Sequence, residues 1–280
     1  EGVARFVFDF AVPALLFRAM ATADVFDNPP WTLWAAFFPA SLTVFFIGMV
    51  LARTAFARPV AGAAITGMGS CFGNTVLLGI PINIRVLGDA AMVPTLLVIA
   101  VHGLVLMTLT TVILESGRAG GRGSKAALAA MARGMLTHPS VIGLMTGLAW
   151  NVTGLAIPAL VDEVLVFMKG AVVPCSLFAL GATLARYGIK GRVAQSATVT
   201  ALKLIVMPAL AWVTARMLGL DAFTTAALVL LAAQPTGINM YLFASRYETA
   251  EAIASTTVFV STLASVLVLP VLIFLVAPGP

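Results

Sequence analysis

The feature that most constrains this chain is its succession of apolar runs, each about 20 residues long, the length at which one α-helix covers the hydrocarbon core of a bilayer. Of 280 residues, 61% are hydrophobic and 10% charged, against roughly 25% charged in an ordinary soluble domain. The chain therefore reads as an all-α integral membrane protein with little left over for a soluble domain. Breaking the runs at polar, Pro and Gly clusters predicts nine helices, near 3–22, 31–52, 59–87, 91–114, 138–155, 160–185, 192–217, 222–246 and 250–276. The first run has no basic segment before it and no small-residue cleavage site, so it reads as a span rather than a signal peptide.

Charge placement gives an orientation. One set of alternate loops holds most of the Lys and Arg, among them Arg53, Arg58, Arg118, Arg122 and Lys125, whereas the opposite set holds Arg85 and Arg216. The positive-inside rule puts the first set in the cytoplasm and the C-terminus outside. The formal charge of +5 is thereby explained without nucleic acid, which is not an expected partner. Cys71 and Cys175 both lie inside apolar runs, so neither a disulfide framework nor a zinc site is expected. HExxH, GxSxG and Walker A patterns are absent, so no enzyme and no cofactor is expected. Alanine- and arginine-rich usage suggests a bacterial source and the inner membrane.

An internal repeat divides the chain. Ala11 to Thr22 (AVPALLFRAMAT) aligns without gaps to Val172 to Thr183 (VVPCSLFALGAT), and the loop charges give these two helices opposite directions. Opposed repeats are a common construction of secondary transporters. The expected organisation is a first repeat over 1–114, a Gly-rich basic cytoplasmic linker over 115–137 and a second, inverted repeat over 138–280. Five helices follow the linker and four precede it, which suggests that one helix upstream of this sequence is missing from it.

Two spans carry Pro beside Gly and Asn near their middles: Gly79-Ile80-Pro81-Ile82-Asn83 and Gln234-Pro235-Thr236-Gly237-Ile238-Asn239. Proline removes an amide donor and clashes with the preceding turn, so both helices are expected to kink or break there. Irregular backbone at membrane depth is tolerated only when buried in protein or lining a cavity, and paired breaks in the two halves mark the binding site. The new helix starts at such breaks present unpaired amides and partial positive charge, which suit a carboxylate. The run from Gly67 to Gly73 resembles a dinucleotide fingerprint but is one spacing short and lies in a membrane helix, so it reads as close helix packing.

NTVLLGIPINIRVLGD and QPTGINMYLFASRYE resemble the fourth- and ninth-helix motifs of the auxin efflux carrier family, which includes plant auxin exporters and bacterial members associated with malonate and other organic anions. FDFAVPALLF, HPSVIGLMTGL and LKLIVMPAL are similar to its second, sixth and eighth helices. The resemblance implies ten helices in two inverted five-helix repeats with crossed broken helices, termini outside and, in relatives, a homodimer built on the second and seventh helices, here 3–22 and 160–185. It implies a site at the crossing, carried here by Asn74, Gly79, Pro81, Pro235 and Asn239, with Gln234 and Thr236 as neighbours. His138, before Pro139, departs from the Asn common in relatives.

Asn83 is grouped with these as a candidate substrate contact, and two ionisable residues near mid-span join them. Lys203 has several readings: attraction of an anionic substrate, a fixed charge standing where a relative would bind a cation, or a scaffold lysine that is paired with backbone carbonyls or snorkels to the interface. His102 either titrates or donates to substrate, or is a neutral packing residue. The function expected is a secondary carrier of a small organic anion, auxin-like or malonate-like, working by alternating access in the lipid bilayer. The alternatives are a sodium-coupled carrier of the bile-acid type, which would want carboxylates around the crossing, and a membrane sensor that transports nothing.

Overall fold

The computed structural model describes residues 2–22, 31–118, 133, 139–185, 189 and 193–276; most of the expected linker and His138 lie outside the described residues. Eleven helical segments follow one another, with no strand among the described residues. Helix α1 comprises Gly2–Phe6, a π-helical turn Val7–Ala11 and Val12–Thr22; α2 is Trp31–Thr54 and α3 is Val60–Cys71. Helix α4 is a π-helical turn Thr75–Gly79 continued by Ile80–Leu87, and α5, Met92–Arg118, follows a short 3-10 turn, Asp89–Ala91. Then come α6 (Pro139–Val152), α7 (Ala159–Leu184), α8 (Val193–Ala201, a π turn Leu202–Val206 and Met207–Met217), α9 (Ala222–Ala232), α10 (Asn239–Arg246) and α11 (Glu251–Val276). Four helical stretches, Trp31–Thr54, Asp89–Ser116, Val193–Met217 and Glu251–Val276, are each long and apolar enough to cross a membrane.

The π turns have one cause. Each ends two residues before a proline: Ala11 before Pro13, Gly79 before Pro81, Val206 before Pro208. A proline ring clashes with the carbonyl four residues back and offers no amide. Widening the preceding turn moves that carbonyl away, so the helix absorbs the proline and continues. This corrects one expectation: Pro81 does not break its helix. The first broken span interrupts earlier, at Phe72-Gly73-Asn74, between α3 and α4. The second interrupts where expected, between Ala232 and Asn239.

Serine and threonine sit inside these apolar helices because their hydroxyls donate to carbonyls one turn back, as Thr66 does to Gly62 (2.8 Å), Ser70 to Thr66 (2.9 Å) and Thr262 to Val258 (2.7 Å). At the head of α9, the Asp221 carboxylate accepts from the Thr224 amide (2.9 Å) and caps the helix.

The helices group into two bodies. Helix α1 packs chiefly against α6 and α7, while α2, α3, α5, α8, α9, α10 and α11 pack mainly on one another; α4 packs on α5 and α9 of this second body and also meets α7 of the first. Within the first body the backbones of α1 and α6 touch: a Cβ at Gly143 would stand 2.4 Å from the Pro13 carbonyl oxygen, and one at Gly147 2.3 Å from that of Phe17. This small-xxx-small spacing lets two helices approach at backbone distance. In the second body Gly67 does the same against the Phe45 carbonyl (2.7 Å), and Gly69 meets Met240 (2.3 Å to its sulfur), so the Gly-rich run is packing, as its composition indicates.

Between the bodies lies an apolar seam in which Leu15, Leu16 and Val172 cluster with Leu77, Ile80 and Leu96. Charges sit at its edge. Arg18 of α1 holds Asp162 of α7 with two bonds (2.7 and 3.1 Å) inside the first body, and Lys169 of α7 reaches across to Asp89 (2.6 Å), at the α4–α5 junction of the second.

Replacing Gly147 by Leu drives side-chain atoms into the Phe17 backbone, and overpacking of this kind costs about 1–3 kcal/mol. Thermal unfolding of the purified protein should show a midpoint lowered by several degrees. Gly170→Ala, at a helical glycine with nothing within 4 Å of the added Cβ, should unfold at or above the wild-type midpoint.

Candidate functional site

The two interruptions cross each other and are hydrogen-bonded there. Gly73 and Thr236 form an antiparallel bridge, flanked by Asn74 N–H to the Pro235 carbonyl (2.7 Å) and Gly237 N–H to the Phe72 carbonyl (2.8 Å). The pattern is unchanged when the two strands are exchanged, which places a local two-fold relation at the Gly73–Thr236 pair. Pro235, which cannot donate, stands where only its carbonyl is needed. Close approach explains the glycines: a Cβ on Gly237 would lie 3.0 Å from the Gly73 carbonyl oxygen, and one on Gly79 would lie 2.8 Å from Leu231 and 3.3 Å from Gln234.

Further side-chain bonds lock the second break. The Thr236 hydroxyl donates to the Gly69 carbonyl (2.9 Å) and its amide to the Ser261 hydroxyl of α11 (3.1 Å). Gln234 is wholly buried; its amide nitrogen donates to the Leu230 carbonyl (2.8 Å), and its oxygen has no hydrogen-bond partner among the described residues.

Four helix ends meet at the crossing. Helices α3 and α9 finish there and present carbonyls, whereas α4 and α10 begin there and present amides. Asn74 caps α4 through its main chain, its carbonyl accepting from Leu78 and Gly79 (both 3.2 Å). Its side chain makes no cap bond, and Asn239 is the first residue of α10, one place further in, after Ile238 at the cap; both asparagines are partly exposed. The two asparagines are thus set at the electropositive ends of the two new half-helices.

Lys203, 1% exposed, lies in the π turn of α8, and its ammonium donates to the Ala232 carbonyl at the end of α9. Its Nζ is 3.3 Å from where a Gly73 Cβ would stand. His102 of α5, 2% exposed, lies against Phe72 of the first break (ring centroids 4.6 Å apart) and Phe37 of α2 (5.6 Å). Both its ring nitrogens are buried without a hydrogen-bond partner among the described residues.

The crossing therefore gathers Asn74, Gly79, Gln234, Pro235, Thr236, Asn239 and Lys203, with His102 one aromatic ring away. Pro81 is buried inside α4, just past the π turn that accommodates its ring. Asn83 is elsewhere: wholly buried, it donates to Thr95 Oγ1 (2.7 Å) and to the Ala227 carbonyl (3.0 Å), tying α4 to α5 and α9. Two residues at the centre, Phe72 and Gly73, were not among those expected. Their signal was present in the adjacent Gly73-Asn74, a turn dipeptide placed before an apolar stretch, and was outweighed by the more conspicuous proline.

Apolar helices, two of them interrupted and joined at backbone level, define a multi-pass membrane transport protein. The chain belongs to the membrane transport protein family, matched over residues 1–273, which is the auxin efflux carrier family that its motifs resemble. It is 27% identical over 285 residues to the "Putative malonate transporter" of Rhizobium meliloti (strain 1021), covering 98% of this chain and 86% of that one. It is 24% identical over 268 residues to an "Uncharacterized transporter" of Methanothermobacter thermautotrophicus, covering 95% and 85% respectively.

Gly237→Ala should loosen the crossing. Crowding against the Gly73 carbonyl weakens the two flanking bonds, each worth roughly 1 kcal/mol net, so hydrogen exchange at the amides of Asn74 and Gly237 should quicken several-fold. Exchange in α6, remote from the crossing, should stay at the wild-type rate.

Proposed function

We propose that this protein is a secondary carrier of a small organic anion, a dicarboxylate of malonate's size being the first substrate to test. The observation that carries the reading is the pair of half-helix starts at the crossing, with Asn74 in the cap position of one and Asn239 as the first residue of the other. Amides that precede the first intrahelical bond, together with two carboxamide donors, suit a carboxylate. No acidic side chain ion-pairs or hydrogen-bonds with any of the crossing residues among the described residues, so no fixed negative charge opposes an anion there. The name of the Rhizobium meliloti relative is in keeping with that choice of substrate.

Alternating access follows from the two bodies. The body of α1, α6 and α7 is the support, and the body bearing the crossing moves against it along the apolar seam. The match of Ala11–Thr22 to Val172–Thr183 and the presence of one broken span in each half support two inverted repeats, with 1–114 and 138–280 as their extents and nine helices in this sequence. Basic loops face the cytoplasm and the C-terminus faces outward, in a bacterial inner membrane. The outward side of α7, with Leu160, Val164, Phe167 and Phe178 uncovered, is where lipid or a second copy would pack. Driving force comes from the anion gradient and the membrane potential, one elementary charge being worth about 2.3 kcal/mol per 100 mV.

Proteoliposomes loaded with the wild-type protein should take up labelled malonate, or another small carboxylate, saturably and with counterflow. Loss of a hydrogen bond to a charged partner costs about 1.5–3 kcal/mol, so Asn74→Ala and Asn239→Ala should each weaken apparent affinity roughly ten- to hundredfold. Uptake unchanged in both variants would remove the crossing from the site. No uptake of any carboxylate by a folded preparation would favour a sensor.

A further inference from the structure

Lys203 occupies a place where a broken-helix transporter binds its coupling cation. In such folds, half-helix carboxyl ends and unwound carbonyls hold the dissolved cation, while half-helix amino ends hold the anion. Here two carboxyl ends, those of α3 and α9, converge at the crossing. No group of His, Cys, Asp and Glu that could hold a metal ion, and so bring a cation to these partial negative charges, occurs among the described residues. The charges are answered by an ammonium group: Lys203 Nζ donates to the last α9 carbonyl, that of Ala232, and stands beside Gly73, two residues past the end of α3.

Three details show that the position is built. The side chain is 1% exposed, so snorkelling to an interface is excluded. It has no carboxylate partner among the described residues, so the helix ends are its counter-charge. Gly73 leaves it room: a Cβ there would press on both Nζ (3.3 Å) and Cε (3.4 Å).

We infer that Lys203 is a tethered cation: its ammonium fills the monovalent-cation position between the carboxyl ends of α3 and α9, so the crossing is held together, and its anion site loaded, without a dissolved cation. The part concerning anion loading rests on the carrier reading above; the part concerning the crossing does not.

Two measurements on the full chain separate them. Thermal unfolding of purified protein in lipid nanodiscs is recorded in sodium, potassium and choline chloride, for wild type, Lys203→Ala and Lys203→Met, with and without millimolar propylammonium. The wild-type midpoint should be the same in all three salts. Lys203→Ala should unfold several degrees lower and recover with propylammonium or with sodium, because truncation opens the cation position. Lys203→Met fills the space without charge, so it should unfold lower and not recover. A wild-type midpoint raised specifically by sodium, or a Lys203→Met protein as stable as wild type, overturns the tethered cation. If Lys203→Ala does not fold, the wild-type salt series and Lys203→Met still decide. Carboxylate uptake into proteoliposomes should be equal in sodium and choline media; sodium-dependent wild-type uptake overturns the inference, whereas absence of uptake in either medium counts against the carrier reading alone.

Discussion

Everything in this molecule depends on satisfying the backbone where two helices stop in the middle of a membrane protein. An unpaired peptide group in hydrocarbon costs on the order of several kcal/mol, which is why spanning segments are helices throughout unless something else takes their hydrogen bonds. Here each break supplies the other. Asn74 and Gly237 donate across the crossing to Pro235 and Phe72, and three further groups, the Thr236 amide and the Gly69 and Ala232 carbonyls, are taken by Ser261, Thr236 and Lys203. Neither half of the chain can hold its break alone, so the crossing fixes the relation between the halves as well as the site.

The same geometry sorts charge. Helices that end at the crossing leave carbonyls there, and helices that begin there leave amides, so regions of opposite potential lie a few residues apart without any acidic side chain. The side chains follow the sign. Lys203 lies on the carbonyl ends, and Asn74 and Asn239 stand at the amide ends. A lysine at this depth would be expensive in an apolar helix; placed against the Ala232 carbonyl it is part of the reason the break holds.

Much of this could be read from residue order. Runs of apolar residues located the helices, since the hydrophobic requirement of a span is a property of composition and length. Pro235 with Gly237 and Asn239 located the second break, because proline followed by glycine leaves no competing helical arrangement. Pro81 misled, because a proline states only that the carbonyl four residues back must move. Whether the helix breaks or widens by one residue per turn depends on neighbours, and the π turn Thr75–Gly79 took the second course. Asn83 lies away from the crossing for a related reason: its type and its proximity to Pro81 match a ligand contact, but its amide nitrogen meets Thr95 and Ala227, a pairing between elements remote in sequence. The role of Gly73 depends likewise on Lys203, 130 positions away, which no local pattern reveals.

The contrast between contacts within the two bodies and contacts between them bears on the proposed motion. Within the first body, Gly143 and Gly147 bring backbone onto backbone, a fit that sliding would destroy at once. Within the second, directional bonds such as Trp34 Nε1 to the Leu97 carbonyl (2.9 Å) and Thr214 to the Ala36 carbonyl (2.6 Å) pin helix to helix. The seam between them is different in kind: Leu15 and Leu16 face Leu77 and Ile80, and aliphatic contact is non-directional, so one arrangement can be exchanged for another at nearly equal buried area. The Lys169–Asp89 pair at its edge, with Asp89 68% exposed, can be traded for water at little cost. A carrier of this design keeps its specific contacts where geometry must persist, at the crossing and within each body, and leaves the moving surface to the one interaction that does not specify register.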